Sequence, residues 1–337
     1  MMRLNLNKIL NSFLTIISVA YLSGVCMWLI LRFLFHDSWW WLFFLNALSL
    51  YIFAFIPVIF ICLLFLRNKI LTVLLVLLFL VPMFLFGELF IPKKASISAY
   101  NISVMTYNLN FNTNHNSKII FSIHASEADV IALQELNVTT AELIKIELIK
   151  KYPFQILNPA NDVSGMGIIS RLPIKQSNDD LPGVWLGRPQ IIDLELNGEL
   201  IKIINIHSTS IVLDSFSTIK EGVISREEQA HFLIDYIQKY NYPTIIMGDF
   251  NLTDQNHAYK ILTNKLTDAW RRKGFGFGHT FPGGAGRYKI YGKYIPQWLF
   301  RIDYIFYTSR FNIKKIYLGE WDGISDHRPI VAKLLLK

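Results

Sequence analysis

The sequence predicts an α/β fold preceded by three transmembrane helices. Within the first 94 of its 337 residues, three long stretches contain no charged residue, which is typical of membrane-spanning helices. From residue 95 onward, short strand-like runs alternate with helix-like runs, a pattern typical of an α/β domain. We therefore expect two domains, a membrane anchor at residues 1–94 and a globular domain at residues 95–337.

The three uncharged stretches are Phe13–Leu31, Ser38–Leu66 and Ile70–Gly87. A helix needs about 20 apolar residues to cross the hydrocarbon core of a bilayer, and each stretch is near or above that length. A buried core helix is the alternative, but such helices usually carry a polar stripe. Aromatic residues such as those of "SWWWLFF" favour the membrane interface. We therefore predict an integral membrane protein whose residues 9–91 contact a lipid bilayer.

The charged residues near these stretches predict their orientation. Residues 1–94 hold seven of the 33 Lys and Arg residues but only two of the 25 acidic residues. Arg3 and Lys8 precede the first stretch, and Arg67 and Lys69 separate the second from the third, so all four fall on one side. The positive-inside rule assigns that side to the cytoplasm and puts residues 95–337 outside it, at a bacterial inner membrane. Three other basic residues favour the opposite orientation: Arg32, Lys93 and Lys94.

The second domain follows a linker at Pro92–Ala99. Both cysteines, Cys26 and Cys62, precede it, so thiolate chemistry and disulfides are excluded from residues 95–337. Its strand-like segments are "NISVMTYNLN", "DVIALQEL", "GMGIISRLPI", "LIKIINIHST", "YPTIIMGDFN", "RIDYIFY" and "PIVAKLLL". Two segments have helical spacing, "TTAELIKIELIKKY" and "SREEQAHFLIDYIQKY", and the second begins with a predicted capping box of Ser225 and Glu228.

Polar residues recur where the apolar run of a strand ends. The ends of neighbouring strands meet at one edge of a sheet, where α/β proteins commonly bind their ligands. Residues that are distant in the sequence can therefore share one site. The candidates are Asn108, Glu135, His207, Asp249, Asn251, Asp303, Asp326 and His327.

The acids and amides among these candidates suit a hard divalent cation. Glu135 ends "ALQEL" and Asn108 lies in "TYNLN", and Mg²⁺ prefers carboxylate and amide oxygens. A solvated carboxylate and a turn-capping asparagine are the alternatives. In "GDFN", Asp249 and Asn251 follow a buried run at a spacing that puts both on one face, although Gly, Asp and Asn also form plain turns.

The motif "SDHRPI" places an imidazole in front of a strand. His327 has Asp326 beside it, and Asp303 stands in "RIDYIF". A carboxylate on one ring nitrogen fixes the tautomer and favours the imidazolium, which suits a group that contacts a phosphate oxygen. His207, at the end of "IINIH", supplies a second imidazole, whereas Arg328 is predicted to form a structural ion pair.

Seven motifs in order resemble those of one superfamily. "TYNLN", "LQE", "GMGIISRLPI", "NIHS", "GDFN", "RIDYIF" and "SDHRPI" are similar to motifs of the endonuclease/exonuclease/phosphatase superfamily, and the resemblance covers residues 100–337. It implies the deoxyribonuclease I-like fold, a two-sheet α/β sandwich with Mg²⁺ at one edge and Mn²⁺ as the alternative metal. It also implies a phosphoric ester hydrolase in which water attacks the phosphorus in line.

The resemblance implies a role for each acid and amide of the first motifs. Glu135 corresponds to the principal metal ligand, and Asn108 lies beside it as a further metal or substrate contact. Asp249 resembles the residue that orients or deprotonates the attacking water. Asn251 resembles the amide that holds a phosphate oxygen.

The remaining candidates also correspond to family positions. His327 resembles the phosphate-contacting imidazole, and Asp303 resembles the carboxylate behind it. Asp326 matches a position that serves a second metal or the same hydrogen-bond network. His207 matches the imidazole of deoxyribonuclease I and sphingomyelinase-like members, where it binds substrate and protonates the leaving oxygen. Abasic-site endonucleases typically lack this histidine, so the resemblance disfavours that branch of the superfamily.

The substrate is less clearly indicated. The segment Arg271–Arg301 is basic, aromatic and glycine-rich, and it falls where a loop over the site would emerge. It can contact nucleic-acid bases and phosphates, rest on lipid headgroups, or pack on itself as a surface loop. Asp162–Gly167 and Pro182–Gln190 are further loops expected at the same edge.

The sequence therefore predicts a membrane-anchored, metal-dependent phosphodiesterase, with a nuclease-type activity favoured. A phospholipid phosphoesterase of the sphingomyelinase or phosphoinositide type is the first alternative, and a non-catalytic phosphate-binding module is the second. The expected partner is a phosphodiester, either nucleic acid or lipid headgroup, and the sequence indicates no protein partner. The complete set of acid, amide and imidazole positions disfavours the non-catalytic alternative.

Overall fold

A computed structural model of the chain describes residues 2–93, 99–113, 117–211, 215–283, 289–290 and 292–337. Contacts divide the chain into two compact units, residues 1–91 with 255–257 and residues 92–254 with 258–337. Most of the predicted linker Pro92–Ala99 lies outside the described residues.

The first unit is helical. Its helices are α1 (Met2–Phe35), α2 (Trp40–Ala47), α3 (Ser49–Phe53), α4 (Ile56–Leu66) and α5 (Lys69–Phe86), followed by a 3₁₀ turn at Gly87–Phe90. Three helical segments are long and apolar enough to cross a membrane: Lys8–Phe35, Ser49–Leu66 and Lys69–Phe90. At most 28% of the residues in their apolar windows are buried, which disfavours the alternative of buried core helices.

The second uncharged stretch, Ser38–Leu66, is not one continuous helix. This stretch divides into α2, α3 and α4, with breaks at Leu48 and at residues 54–55. Pro57 lies in the first turn of α4, where its missing N–H costs no hydrogen bond and its fixed backbone angle favours a helix start. Uniformly apolar composition concealed the breaks, and the segment that could span a membrane begins at Ser49.

The second unit is an α/β sandwich of two mixed sheets, which confirms the predicted fold class. Its strands are β1 (Ile102–Asn108), β2 (Val130–Gln134), β3 (Phe154–Asn158), β4 (Met166–Ser170), β5 (Ile174–Gln176), β6 (Gly187–Leu196), β7 (Glu199–His207), β8 (Thr244–Asp249), β9 (Thr267–Asp268), β10 (Lys289–Ile290), β11 (Lys293–Tyr294), β12 (Asp303–Tyr307), β13 (Phe311–Leu318) and β14 (Ile330–Leu336). The helices after α5 are α6 (Ser117–Ser126), α7 (Val138–Glu147), α8 (Phe216–Tyr240), α9 (His257–Thr263) and α10 (Ala269–Lys273).

Each large sheet has six strands. The first has the order β13-β14-β1-β2-β4-β3, the second has the order β5-β6-β7-β8-β12-β9, and β10 and β11 form a separate pair. Every residue of β1, β2, β4, β8 and β12 is buried. Helices α6 and α7 pack on the first sheet and α8 packs on the second. Coverage of both faces explains why these strands read as continuous apolar runs.

Helix α8 begins ten residues before the predicted start. Its N-cap is Ser215, whose side chain accepts a hydrogen bond from the backbone of Thr218 in a capping box. Ser225 lies inside the helix, with its hydroxyl 3.1 Å from that of Thr209. The predicted capping box of Ser225 and Glu228 is therefore wrong, because an earlier and equally suitable serine starts the helix.

Strand register brings the ends of five strands to one edge of the sandwich. In the first sheet, β1 and β2 are parallel and Asn108 pairs with Gln134. In the second sheet, β7 and β8 are parallel and His207 pairs with Asp249. Strand β12 is antiparallel to β8 and begins with Asp303 opposite Asp249. The first residue of β12 therefore lies at the same edge of the sheet as the last residues of β7 and β8.

Buried amides join the two sheets just below this edge. Gln134 on β2 donates to the side-chain oxygen of Asn205 on β7 over 2.6 Å. The amide nitrogen of Asn205 lies 3.1 Å from each of three acceptors, the Leu133 and Gly167 carbonyls and the Gln190 side chain. Gln134 and Asn205 are fully buried. Because a buried polar group needs its partners, this network fixes the position of one sheet against the other.

We expect Asn205→Ala to destabilise the second unit. It leaves buried partners in both sheets without a hydrogen bond, and the free energy of unfolding should fall by about 3 kcal/mol. The measurement is pulse proteolysis of the full chain in detergent across a urea series. Asn312→Ala, which removes an exposed amide on β13, should change stability by less than about 0.5 kcal/mol. Equal midpoints for the two variants would contradict the role of the network.

Candidate active site

The structure brings the predicted site residues to the edge where the strands of both sheets end. Each sheet contributes part of the cluster. The first sheet and its adjoining loops supply Asn108, Glu135, Asp326 and His327, and the second supplies His207, Asp249, Asn251 and Asp303. Together these residues span more than 200 positions of the sequence.

Asn108 connects the acids of the two sheets. Its amide nitrogen lies 3.1 Å from a carboxylate oxygen of Glu135 and 3.0 Å from one of Asp249. Its amide oxygen accepts a hydrogen bond from the backbone of Asn110. In this arrangement Asn108 donates to both acids, and a metal-ligand role would require the amide to turn.

Glu135 is held with both carboxylate oxygens facing the site. It has a positive φ of 53°, so the chain turns sharply where β2 ends. The backbone N–H of Phe111 donates to its second oxygen over 3.2 Å. Burial is the main influence on its carboxyl and raises its pKa, while the hydrogen bond from Asn108 and the charge of His327 act in the opposite direction.

The acids at this edge fit a hard divalent cation. Burial also raises the pKa of Asp249, and a nearby cation stabilises carboxylates whose charge burial disfavours. Asp249, Asp303 and His327 place ligand atoms within 4.8 Å of one another. His327 and Asp303 are already hydrogen-bonded to each other, which favours Glu135 as the primary ligand. Oxygen donors of this kind are those that Mg²⁺ prefers.

His327 and Asp303 form a buried pair. Nδ1 of His327 lies 2.8 Å from a carboxylate oxygen of Asp303, and Nε2 lies 3.7 Å from one of Asp249. Burial alone would lower the pKa of His327, but the carboxylates of Asp303 and Asp249 raise it to about 10. His327 therefore carries a proton at neutral pH and directs Nε2 toward Asp249.

His207 is in a different electrostatic state. Its Nδ1 is 3.1 Å from the Val163 carbonyl, which can only accept a hydrogen bond, so the ring proton is on this nitrogen. Nε2 faces Asp249 at 3.6 Å and Glu135 at 3.8 Å. Burial lowers the pKa of His207 to about 3, so the ring is neutral at pH 7 and Nε2 is a proton acceptor. Protonation of a leaving oxygen by His207 would need a proton supplied to Nε2 first.

Asn251 and Asp326 lie at the margins of the cluster. Asn251 has a positive φ of 51°, and its amide nitrogen donates to the Ser208 carbonyl over 3.0 Å, which leaves one amide hydrogen for another acceptor. Asp326 is half-buried, and its charge raises the pKa of Glu135 and of His327. Asp326 therefore acts on these groups electrostatically in this structure.

Two positioning residues received no role from the sequence. The Ser325 hydroxyl donates to the Asn108 carbonyl over 2.7 Å and accepts from the His327 backbone over 3.0 Å, so it joins β1 to the histidine. Arg226, buried within α8, donates to the Asn251 carbonyl. An arginine on the apolar face of a helix was the sequence signal that could have identified Arg226. For Ser325 the only sequence signal was its position in the motif "SDHRPI".

Arg328 corrects another prediction. Its guanidinium stacks 4.1 Å over the ring of Trp298 and donates to the His279 carbonyl. Within the described part of the chain it has no carboxylate within ion-pair distance. The predicted structural ion pair is therefore wrong, and Arg328 instead holds the segment that follows Arg271.

The basic, aromatic segment Arg271–Arg301 lies beside His327. Phe281 packs on the histidine ring with centroids 4.9 Å apart, and the backbone of Arg328 donates to the Thr280 carbonyl. Both ends of the segment bind one acid, because Asp254 lies 2.7 Å from Arg271 and 3.3 Å from Arg301. Residues 284–288 and 291 of this segment fall outside the described residues.

Comparison with protein families identifies the family of this chain. Residues 105–327 match the model of the Endonuclease/Exonuclease/phosphatase family. The match covers well over half of the chain, which therefore belongs to that family, whose members are phosphoesterases. No curated protein matches the chain.

Several solved structures share the fold. The endonuclease/exonuclease/phosphatase from Bacteroides vulgatus is 18% identical, with a TM-score of 0.51 over 70% of this chain and 99% of its own. That from Beutenbergia cavernae is 18% identical, with a TM-score of 0.53 over 71% of this chain and 72% of its own. D. rerio TDP2, solved with a single strand DNA product, is 17% identical, with a TM-score of 0.53 over 69% and 98%. At this identity the likeness establishes the fold.

We expect Mg²⁺ to stabilise the protein through Glu135. A ligand at 100 times its dissociation constant adds about 2.7 kcal/mol to stability, so saturating Mg²⁺ should raise the unfolding midpoint of the wild type. Glu135→Gln removes the ligand charge and should abolish the rise, whereas the exposed Glu195→Gln should retain it. The measurement is thermal unfolding in detergent with and without Mg²⁺. An undiminished rise in Glu135→Gln would exclude this residue as the main ligand.

Proposed function

We propose that this protein is a membrane-anchored, divalent-metal-dependent phosphoesterase that hydrolyses a phosphodiester by in-line attack of water. The observation that carries the proposal is the meeting of Glu135, Asn108, Asp249 and His327 at one edge, with Asn108 in contact with an acid of each sheet. Membership of a family of phosphoesterases supports the reaction class. The apolar helices of the first unit support the anchor.

The metal is proposed to be Mg²⁺, with Mn²⁺ as the alternative. Glu135 would be its principal ligand, Asp326 would contribute a second carboxylate, and Asn108 would orient the acids around it. When bound, the ion neutralises negative charge on the phosphate oxygens. In the same site the protein's own charged and polar groups stabilise the developing charge, because they are fixed before the reaction begins.

The remaining residues take roles that their surroundings support. Asp249 accepts the proton of the attacking water, since burial raises its pKa toward the neutral range. His327, held by Asp303, donates from Nε2 to a phosphate oxygen. Asn251 offers its remaining amide hydrogen to another phosphate oxygen. His207 lies on the proposed leaving-group side, where Nε2 of its neutral ring accepts a hydrogen bond from the substrate. It can protonate the leaving oxygen after Asp249, 3.6 Å away, has passed the proton taken from the attacking water to Nε2.

A nucleic acid is the proposed substrate class. Support comes from the fold shared with D. rerio TDP2, which was solved with a single strand DNA product. Support also comes from the basic, aromatic segment beside His327, since such segments stack bases and neutralise phosphates. A phospholipid headgroup is the second candidate, favoured by the apolar helices that would hold the enzyme at a bilayer.

We expect the full chain to hydrolyse bis(p-nitrophenyl) phosphate with Mg²⁺ and to lose this activity in EDTA. Asp249→Asn and His327→Ala should each lower kcat by about 10²–10⁴-fold, because they remove proton transfer and charge stabilisation. Asp235→Asn and His231→Ala change the same residue types at exposed positions of α8 and should leave kcat unchanged. The measurement is steady-state kinetics in detergent. Full activity in Asp249→Asn and His327→Ala would refute the site.

The catalytic domain is proposed to lie outside the cytoplasm. The basic residues before the first span and between the second and third support this orientation. Alkaline phosphatase fused after Lys337 should be active in bacterial cells, and green fluorescent protein fused at the same place should be dark. The reverse pair of results would place the domain in the cytoplasm.

A further inference from the structure

A polar pocket lies beside the candidate active site, between the edges of the two sheets. Its volume is about 180 Å³. Asn158, at the end of edge strand β3, lines one side, and Gln176, at the end of edge strand β5, lines the other. The buried Gln190 forms part of its floor and lies 3.4 Å from Asn158, which ties the two walls together.

The pocket adjoins the proposed leaving-group side of the site. The Val163 carbonyl binds His207, and the next residue, Ser164, lines the pocket. Gly187 pairs with His207, and its neighbour Arg188 also lines the pocket. Consecutive Cα atoms are about 3.8 Å apart, so the end of the pocket lined by Ser164 and Arg188 is the end nearest to His207.

The charged residues of the pocket are paired with each other or with neighbours. Asp180 lies 2.9 Å from Arg188. Asp179 binds Lys202 over 2.8 Å and the Tyr236 hydroxyl over 2.8 Å. Lys202 also binds Asp193 over 2.6 Å, so the pocket has no excess of positive charge, and a second phosphate would gain little there.

Two amide side chains that line the pocket are available for hydrogen bonds to a ligand. Within the described part of the chain, the exposed side chains of Gln176 and Asn178 take part in no hydrogen bond, so both can donate to and accept from a ligand. The described lining residues include no aromatic side chain, so a nucleobase would find no ring on which to stack. The volume is below the roughly 300–1,000 Å³ of sites for drug-sized ligands and suits one small ring or a short polyol.

We propose that this pocket binds a neutral, hydroxyl-bearing group of the substrate, a sugar or polyol esterified to the phosphate that is hydrolysed. This inference rests on the proposed phosphoesterase function and names its substrate class. The 2′-hydroxyl of RNA, the terminal sugar hydroxyl of a DNA strand and the polyol headgroups of lipids share this chemistry. The substrate is then selected by its hydroxyl groups as well as by its phosphate.

The test compares four methyl phosphodiesters whose second ester group is ethyl, glyceryl, myo-inosityl or 5′-thymidyl. With the full chain and Mg²⁺, the ester with the best-fitting hydroxylated group should have a kcat/KM at least about tenfold above the ethyl ester, since two added hydrogen bonds give about that factor. Preference for the thymidyl ester assigns the hydroxyls to a nucleic acid, and preference for the glyceryl or inosityl ester assigns them to a lipid headgroup. Products are separated by chromatography.

In the double variant Gln176→Ala, Asn178→Ala, the hydroxylated ester and the ethyl ester should have nearly equal kcat/KM. The rate with the ethyl ester should be the same as in the wild type. Asn312→Ala, outside the pocket, should keep the preference. Equal kcat/KM for all four esters in the wild type, or an unchanged preference in the double variant, overturns the proposal.

A binding measurement separates failure of the pocket from failure of the proposed reaction. If no phosphoester is hydrolysed, the proposed function fails, and isothermal titration of the same esters into the full chain then tests the pocket alone. Tighter binding of a hydroxylated ester that is lost in the double variant supports the pocket. Binding that is equal for all four esters, or that the double variant leaves unchanged, overturns it.

Discussion

The alignment of the two sheets is the constraint on which the site depends. Glu135 and Asn108 stand on one sheet and Asp249 and His207 on the other, and their side chains meet within hydrogen-bond or ion-pair distance. A shift of 1 Å between the sheets would break these contacts. Apolar packing is not directional and does not fix such a distance by itself. The buried amides around Asn205 do, because its hydrogen bonds to Gln134, Leu133 and Gly167 cross from one sheet to the other.

Burial gives the three central groups different protonation states. Asp249, His207 and His327 are all buried, and low exposure disfavours charge on each of them. His327 carries a proton at neutral pH, because Asp303 lies against one ring nitrogen and Asp249 faces the other. His207 lacks such a close carboxylate partner and stays neutral. Burial raises the pKa of Asp249 to about 7. At neutral pH one edge of the sandwich therefore holds a protonated imidazole, a neutral imidazole and a carboxyl group whose pKa is about 7.

The sequence predicted the strand ends well because buried strands leave long apolar runs that stop at polar residues. "TIIM" before Asp249 and "IINI" before His207 are of this kind. The contacts between sheets could not be predicted in the same way, since the partners of Asn205 are determined by strand order and register. The break before Ser49 could not be predicted, because the residues around it are uniformly apolar. The ion pair predicted for Arg328 was wrong because a guanidinium can stack on an indole as readily as it can bind an acid.

Asp254 anchors both ends of the segment Arg271–Arg301. Both Arg271 and Arg301 bind this carboxylate, so the 31-residue segment Arg271–Arg301 starts and ends at one point. Phe281 contacts His327 and Trp298 contacts Arg328, so the length of the segment is constrained at these two positions. Insertions or deletions between them can be absorbed without displacing Asp303 or His327, since loops anchored at both ends tolerate changes of length.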